Sequence, residues 1–266
     1  MEIASGGMDG RLTGRVAIVT GTARGIGEAI ARVFAREGAT VIGVDVLEDL
    51  GRAAAAEVAA EGGAMRFVRG DVSREPDVQA VVDGVLAEHG RVDVMVNNAA
   101  VQKEARLVDV TVDDFHRVVS VNLLGCLLFC RAVLPSMVAQ RSGVIVNMSS
   151  LNALVADPLL PVYGATKAGI IALTQNIAIT YGPDGIRANA ICPGDVDTEL
   201  NRAFFNAHPD PVQFRRRLER EYPLRRIASP EEIARVALFL ASDDASFVSG
   251  SQVVVDGALM ARIYEL

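Results

Sequence analysis

The chain has no tryptophan among its 266 residues, and only four tyrosines, three cysteines and three histidines. A core must therefore be filled by Val, Leu, Ile and Ala, and with 50% of the residues hydrophobic there is ample material for one. Cys126, Cys130 and Cys192 are too few, and odd in number, for a disulfide framework; they point to a reducing compartment. Cys126 and Cys130 stand four apart in an apolar stretch and read as packed thiols. His89, His116 and His208 do not gather with them, so no metal site is expected. Positive charge is in deficit as well: 26 Lys and Arg against 33 Asp and Glu leave a net charge of -7, which disfavours nucleic acid and anionic lipid as partners. The most apolar stretch, Val118 to Val138, is broken by Arg131 and Pro135 and carries Asn122 near its start, which argues against a membrane-spanning helix. Residues 1–10 are polar and Gly-rich, lack the apolar segment of a secretory signal, and are expected to be a flexible tail. A soluble cytoplasmic protein is expected. There is neither an internal repeat nor a low-complexity linker.

What is present is a regular alternation. Short apolar runs at Arg15–Thr20, Thr40–Val46, Met65–Arg69, Val92–Val96, Val144–Met148, Arg187–Ile191 and Gln252–Val255 read as strands. Between them run helical patterns. Ile26, Ile30, Val33 and Phe34 form one stripe, stopped by Gly38; Leu50 to Glu61 is Ala-rich; Val78, Val81, Val82, Val85 and Leu86 form another stripe, closed by Gly90. Helices are also expected over Val112–Gln140 and Tyr163–Tyr181. Ser229-Pro230-Glu231-Glu232 is a capping signature for the last helix, striped by Ile233, Val236, Ala237 and Leu240. Continuously apolar strands alternating with helices predict an α/β fold: a doubly wound parallel sheet of about seven strands, covered on both faces, in one domain over 11–266. The long irregular stretch from Pro193 to Pro230, with a modest helical pattern at Val212–Leu218, is expected to be a substrate lid over about 195–228.

Gly21, Gly25 and Gly27 lie between the first strand and the first helix. Glycines there let backbone N–H groups approach a pyrophosphate held at a helix N-terminus. Asp45 ends the second strand, 18 residues beyond Gly27, where a carboxylate binds the ribose hydroxyls of NAD and repels the 2′-phosphate of NADP. Arg24, in the glycine turn, is the contrary signal. Tyr163 and Lys167 stand at i and i+4 and share a helix face. A free tyrosine, with a pKa of about 10, is a poor base at neutral pH; a nearby ammonium and an oxidised nicotinamide are expected to lower it. Neighbouring Ser149 and Ser150 point to opposite sides of a strand, so only one can meet a substrate. The acid pairs Asp113/Asp114, Glu231/Glu232 and Asp243/Asp244 read as solvated helix caps. Arg215-Arg216-Arg217 and Arg225-Arg226 could meet an anionic substrate, or be the solvated face of a lid helix.

From about Leu12 to Ala258 the sequence resembles the short-chain dehydrogenase/reductase family. The motifs that carry the likeness are the TGxxxGxG turn at Thr20–Gly27, Asp71-Val72, Asn97-Asn98-Ala99-Ala100, Asn122, the serine strand ending in Ser149-Ser150, Tyr163-Gly164-Ala165-Thr166-Lys167, Pro193-Gly194-Asp195-Val196-Asp197-Thr198 and Val255-Asp256-Gly257-Ala258. Ala100 and Ala258 stand where the family carries glycine. The likeness implies a Rossmann-type domain and a catalytic set of Asn122, Ser150, Tyr163 and Lys167. Ser150 precedes Tyr163 by 13 residues, the separation the family resembles, and is chosen over Ser149. Ser150 would hold the substrate oxygen, Tyr163 would pass the proton, and Asn122 would hold a water joining Lys167 to solvent. Cofactor contacts are implied at Gly21, Arg24, Gly25, Ile26, Gly27, Asp45, Asp71, Val72, Asn98, Ala99, Tyr163, Lys167, Pro193, Gly194, Val196 and Thr198.

The expected reaction is hydride transfer between NAD and a secondary alcohol or ketone. The implied substrate pocket lies near Ser150, Asn152, Leu154, Tyr163, Gln102 and the segment Glu199–Tyr222. Polar Asn152 and Gln102 favour a sugar, polyol or cyclic diol; Leu159, Leu160, Phe204 and Phe205 favour an apolar ring or steroid. The likeness also implies a homotetramer assembled through the long helices, for which Val118–Val138 is suitably apolar. Three rival readings stay open: an NADP-dependent 3-oxoacyl or ketosteroid-type reductase, a non-catalytic cofactor-sensing protein, and a dehydratase or epimerase acting on a nucleotide sugar.

Overall fold

Strands that are apolar along their whole length need cover on both faces, and the helices that follow them supply it. In the computed structural model, which describes residues 10–206 and 208–261, the elements run in alternation. They are β1 (Val16–Thr20), α1 (Gly25–Arg36), β2 (Thr40–Asp45), α2 (Glu48–Ala60), β3 (Ala64–Arg69), α3 (Glu75–His89), β4 (Val94–Asn97), α4 (Val112–Val119) and α5 (Gly125–Gln140). Then follow β5 (Gly143–Met148), α6 (Pro161–Tyr181), β6 (Ile186–Pro193), α7 (Glu199–Asn206), α8 (Pro211–Glu221), α9 (Pro230–Ala241) and β7 (Gln252–Val255). The expected tail at residues 1–9 lies outside the described residues. The strands form one parallel sheet in the order β3-β2-β1-β4-β5-β6-β7. The chain reverses direction across the sheet between β1 and β4, which leaves a crevice at their C-terminal ends.

One core lies between the sheet and α1 with α9, around Ile30, Phe34, Val41, Ile233 and Leu238. The other lies against α3, α5 and α6, around Ile18, Ile42, Met95, Phe129 and Ile145. Cys126 and Cys130 are buried free thiols in this second core, as expected.

Four sequence expectations need correction. β4 starts at Val94 rather than Val92, because the Val92 N–H bonds the Gln140 side chain (3.3 Å) and Asp93 turns its carboxylate onto the Val16 N–H (2.8 Å). β2 ends at Asp45 rather than Val46, since Asp45 bends back to accept the Leu47 N–H (3.0 Å). The helical region Val112–Gln140 is continuous but changes pitch, with a π turn at Ser120–Leu124. By length and composition this region could cross a membrane, yet half of its most apolar window is buried inside the protein. The stretch Pro193–Pro230 is not irregular: it carries α7 and α8. Asp210 caps α8 by accepting the Gln213 N–H (3.0 Å), and Phe205, Tyr222 and Ile227 form a small core joined by Phe204, Phe214 and Leu218.

Two local features carry measurable stability. Ala258 holds φ +70, a left-handed conformation that an L side chain adopts at a cost of roughly 1–2 kcal/mol and glycine does not resist. Ala258→Gly should therefore raise stability by roughly 0.5–1 kcal/mol after the added unfolded-state entropy is subtracted. Denaturant titration checks this, and a loss of stability would show that the site is not strained. At the start of α9, Ser229 and Glu232 form the capping box, and Arg226 also clamps the Glu232 carboxylate (2.7 Å). The Arg226 side chain and the Ser229 N–H hold that carboxyl down from 4.5 to about 2. Glu232→Ala should cost about 1 kcal/mol at neutral pH. Because the folded-state pKa is lowered, this contribution is full above the unfolded value of 4.5 and fades as pH falls toward 2. The difference between wild type and variant in thermal unfolding should shrink over that window.

Candidate active site

The C-terminal ends of β1, β2, β4, β5 and β6 open into one cavity of about 780 Å³, a size suited to a cofactor with a small substrate. Its walls bring together, from separate loops, Gly21, Arg24, Gly25 and Ile26; Asp45; Asp71 and Val72; Asn98 and Ala99; Pro193, Gly194, Val196 and Thr198. They also include Gln102, Ser150, Asn152, Tyr163 and Lys167. Of the expected catalytic and cofactor residues, Gly27 and Asn122 are not on this wall. Gly27 is buried beneath the turn, where a Cβ would stand 2.0 Å from the Gly21 carbonyl oxygen and 2.5 Å from Asn98 Nδ2. The absence of a side chain there allows the turn to close. Asn122 lies behind Lys167, on a separate small cavity.

The glycine turn is tied to the neighbouring strand reciprocally. The Asn98 and Ala99 N–H groups donate to Thr20 Oγ1 (3.0 and 3.1 Å), while Asn98 Nδ2 donates back to the Thr20 and Gly21 carbonyls (2.9 and 3.3 Å). Gly21 and Gly25 take φ +74 and +65, which only glycine adopts without strain. Ala100 is absent from the left-handed positions, so alanine is tolerated where the family carries glycine. Asp45 braces the turn through the Ala23 N–H (3.0 Å) and the Leu47 N–H (3.0 Å). Each of its oxygens still has a second lone pair for a ligand hydroxyl. Asp71 accepts Ser73 N–H and O–H on Oδ1 alone. Arg24 is exposed at the cavity and makes no ion pair among the described residues. A pyrophosphate-bearing dinucleotide fits this set: a turn pared to glycine at a helix N-terminus, and carboxylate oxygens free for ribose and base.

Tyr163 and Lys167 lie on α6, with the Lys167 ammonium 5.3 Å from the Tyr163 ring centre. Lys167 is buried and donates to the Met148 carbonyl (2.8 Å). The two serines divide as their alternation requires. Ser149 is buried and donates to the Lys167 carbonyl (2.9 Å), anchoring α6 to the strand end, while Ser150 lines the cavity and accepts the Asn152 N–H (3.1 Å). Asn122 sits in the π turn: Oδ1 accepts the Val101 N–H (2.8 Å), and Nδ2 donates to the Val101 carbonyl (2.9 Å) and Thr166 Oγ1 (3.3 Å). A small cavity of about 10 Å³ lies between Asn122 and Lys167, enough for about one water.

The electrostatics differ from the sequence expectation. Burial pushes Tyr163 up to about 12, Asp195 adds to the rise, and the Ser150 hydroxyl opposes it. Burial pushes Lys167 down to about 8, opposed by Cys126 and Cys192. In the chain alone, with no nicotinamide beside it, the burial of Tyr163 outweighs the Ser150 hydrogen bond that lowers it.

At the substrate end, Leu159, Leu160 and Phe204 join Asn152 and Gln102 on the wall. Leu154 does not reach it, and Phe205 turns into the small core beside Tyr222. Neither arginine cluster meets the cavity: Arg215 pairs with Asp197 (3.0 Å) and Glu219 (2.9 Å), and Arg226 with Glu232. Sequence reasoning did not single out Glu104, Asp157 and Asp195 on the wall, although Asp195 stands between two motif residues; Tyr222, the end of the expected Glu199–Tyr222 segment, does reach it.

A family model described as enoyl-(acyl carrier protein) reductase matches residues 21–259. Oxidoreductase UcpA of Salmonella typhimurium is 40% identical over 251 residues, covering 93% of this chain and 95% of that one. D-threitol dehydrogenase of Mycolicibacterium smegmatis is 39% identical over 249 residues, 94% of each chain. Among solved structures, a gluconate 5-dehydrogenase from Burkholderia cenocepacia in complex with NADP and tartrate superposes with a TM-score of 0.89 at 35% identity, over 96% of this chain and 99% of that one.

Proposed function

The chain belongs to the short-chain dehydrogenase/reductase family, an oxidoreductase acting on alcohol and ketone groups, and on that premise we propose that it is an NAD-linked dehydrogenase of a hydroxylated small molecule such as a polyol or sugar. The observation that carries the reading is the convergence of Ser150, Tyr163 and Lys167 on the cavity that also holds the glycine turn and Asp45. When bound, the nicotinamide supplies the hydride acceptor for alcohol oxidation, or the donor for ketone reduction. Ser150 donates a hydrogen bond to the substrate oxygen and Tyr163 moves the proton at that oxygen. Lys167 returns the proton toward solvent through the small cavity it shares with Asn122. Helices α7 and α8 serve as the lid of a single domain, and the exposed apolar side chains of Val112, Phe115, Leu124 and Leu127 suit a homotetramer contact along the long helices. D-threitol dehydrogenase among the relatives supports a polyol substrate.

At neutral pH Tyr163 and Lys167 both carry their protons, so the site is set to protonate a carbonyl oxygen, whereas alcohol oxidation requires the pair to lose one proton. Oxidation kcat/KM should therefore rise about tenfold per pH unit below pH ~8, while reduction shows no such rise. Tyr163→Phe should lower both by roughly 10²–10⁴-fold with cofactor binding retained. Nicotinamide absorbance with a polyol and sugar panel measures this; equal activity in the variant would remove Tyr163 from the mechanism.

A second reading, use of NADP, is favoured by Arg24, whose guanidinium faces the cavity without an ion pair among the described residues. Asp45 opposes it, because a carboxylate about 5 Å from a phosphate charge costs about 3 kcal/mol at an effective dielectric near 20. Wild type should prefer NAD, and Asp45→Asn should shift the NADP:NAD ratio of kcat/KM upward by roughly 10–100-fold. A wild type that turns over with NADP alone would select the second reading.

A further inference from the structure

At the end of β6, Asp195 and Tyr222 fix one another inside the catalytic cavity. The Asp195 N–H donates to Tyr222 Oη (2.7 Å), and the Tyr222 hydroxyl donates to Asp195 Oδ2 (2.7 Å). Asp195 Oδ1 accepts no hydrogen bond among the described residues, and both side chains line the cavity that holds Tyr163. The carboxylate is close enough to the reacting centre to act on it, for its charge helps to raise Tyr163. Nor is it neutralised. Asp157 and Glu104 line the same cavity, and Asp157 raises both Asp195 and Glu104 alongside their burial. The lining cations are Lys167, whose ammonium is turned to the Met148 carbonyl, and Arg24, which belongs to the glycine turn.

Resting on the dehydrogenase reading above, we infer that Asp195 is a specificity-determining residue: it accepts a hydrogen bond from a second hydroxyl of an uncharged, polyhydroxylated substrate and excludes the carboxylate counterpart of that substrate. A hydroxyl beside the reacting carbinol donates to Oδ1 and fills the acceptor that the fold leaves open. A substrate carboxylate at the same place meets one like charge directly and two more on the same cavity wall, while the one guanidinium on the wall, that of Arg24, belongs to the glycine turn that receives the cofactor. Tyr222 keeps the carboxylate in position and contributes no charge of its own.

The test compares matched neutral and acidic compounds, such as xylitol with xylonate and other polyols with aldonates of equal carbon number, at pH ~8.5 with NAD supplied. Wild type should favour the neutral member by at least about tenfold in kcat/KM, and Asp195→Asn should reduce that preference by at least about tenfold through KM for the acid. Tyr222→Phe should keep the preference, since the charge remains. Asp195→Asn should also move the oxidation pH profile to lower pH, because a negative charge near Tyr163 has gone; a purely structural role would leave the profile in place. Calorimetric binding of the same pairs to NAD-saturated protein reads the preference without turnover. It separates a failure of this inference from a failure of the dehydrogenase reading, which Tyr163→Phe addresses. Equal or tighter binding of the acid, an unchanged ratio in Asp195→Asn, or no binding by either class would overturn the inference.

Discussion

The structure depends on a reciprocal lock between β1 and β4. These strands are neighbours in the sheet but far apart in the chain, and their meeting creates the crevice. Thr20 accepts from the backbone of Asn98 and Ala99, and the Asn98 amide returns hydrogen bonds to Thr20 and Gly21. Gly27 is needed because its Cβ would occupy the space of that amide and of the Gly21 carbonyl. Once the turn is closed, the start of α1, the carboxylate of Asp45 and the ends of β4, β5 and β6 have fixed places around one cavity. Backbone groups aimed in this way need little reorganisation when a ligand arrives, which is the economy of a preorganised site.

The second determinant is burial. Lys167 is an ammonium with a carbonyl, not a carboxylate, for a partner, and its pKa falls; Tyr163 sits where ionisation is disfavoured, and its pKa rises. The two shifts move the groups apart, from 10.0 and 10.5 to about 12 and about 8, so Lys167 gives up its proton more readily than Tyr163 does. The π turn at Ser120–Leu124 belongs to the same design. Asn122 ties Val101 and Thr166 together through its side chain, and its Oδ1, which accepts one hydrogen bond, keeps a second acceptor site beside the small cavity.

Much of this was legible in the sequence, for identifiable reasons. Strand runs such as Val16–Thr20 and stripes such as Ile26, Ile30, Val33 and Phe34 report burial directly, so the order of elements and the parallel sheet followed. The choice of Ser150 over Ser149 rested on alternation and motif spacing, and the structure sends the two hydroxyls to different partners. What was not legible depends on three-dimensional neighbours. The packing of Gly27 against Gly21 is invisible in one dimension. The rise of Tyr163 was missed because spacing gives proximity to Lys167 but not the depth of burial. Helix α7 was missed, and α8 showed only as the pattern at Val212–Leu218, because both are short and bury few side chains, and are stabilised by aromatic packing and by Asp197 bridging Arg202 and Arg215.

That aromatic packing makes the lid a structural unit in its own right. Phe204, Phe205, Phe214 and Tyr222 stabilise α7 and α8 chiefly against each other, while the glycine turn, the serine and the tyrosine are held by the sheet. The Tyr222–Asp195 pair is the joint between that aromatic unit and the end of β6. Substitutions among the other lid aromatics can therefore reshape the wall at Phe204 while the sheet-held groups keep their places, whereas a change at Tyr222 is felt at the strand end itself.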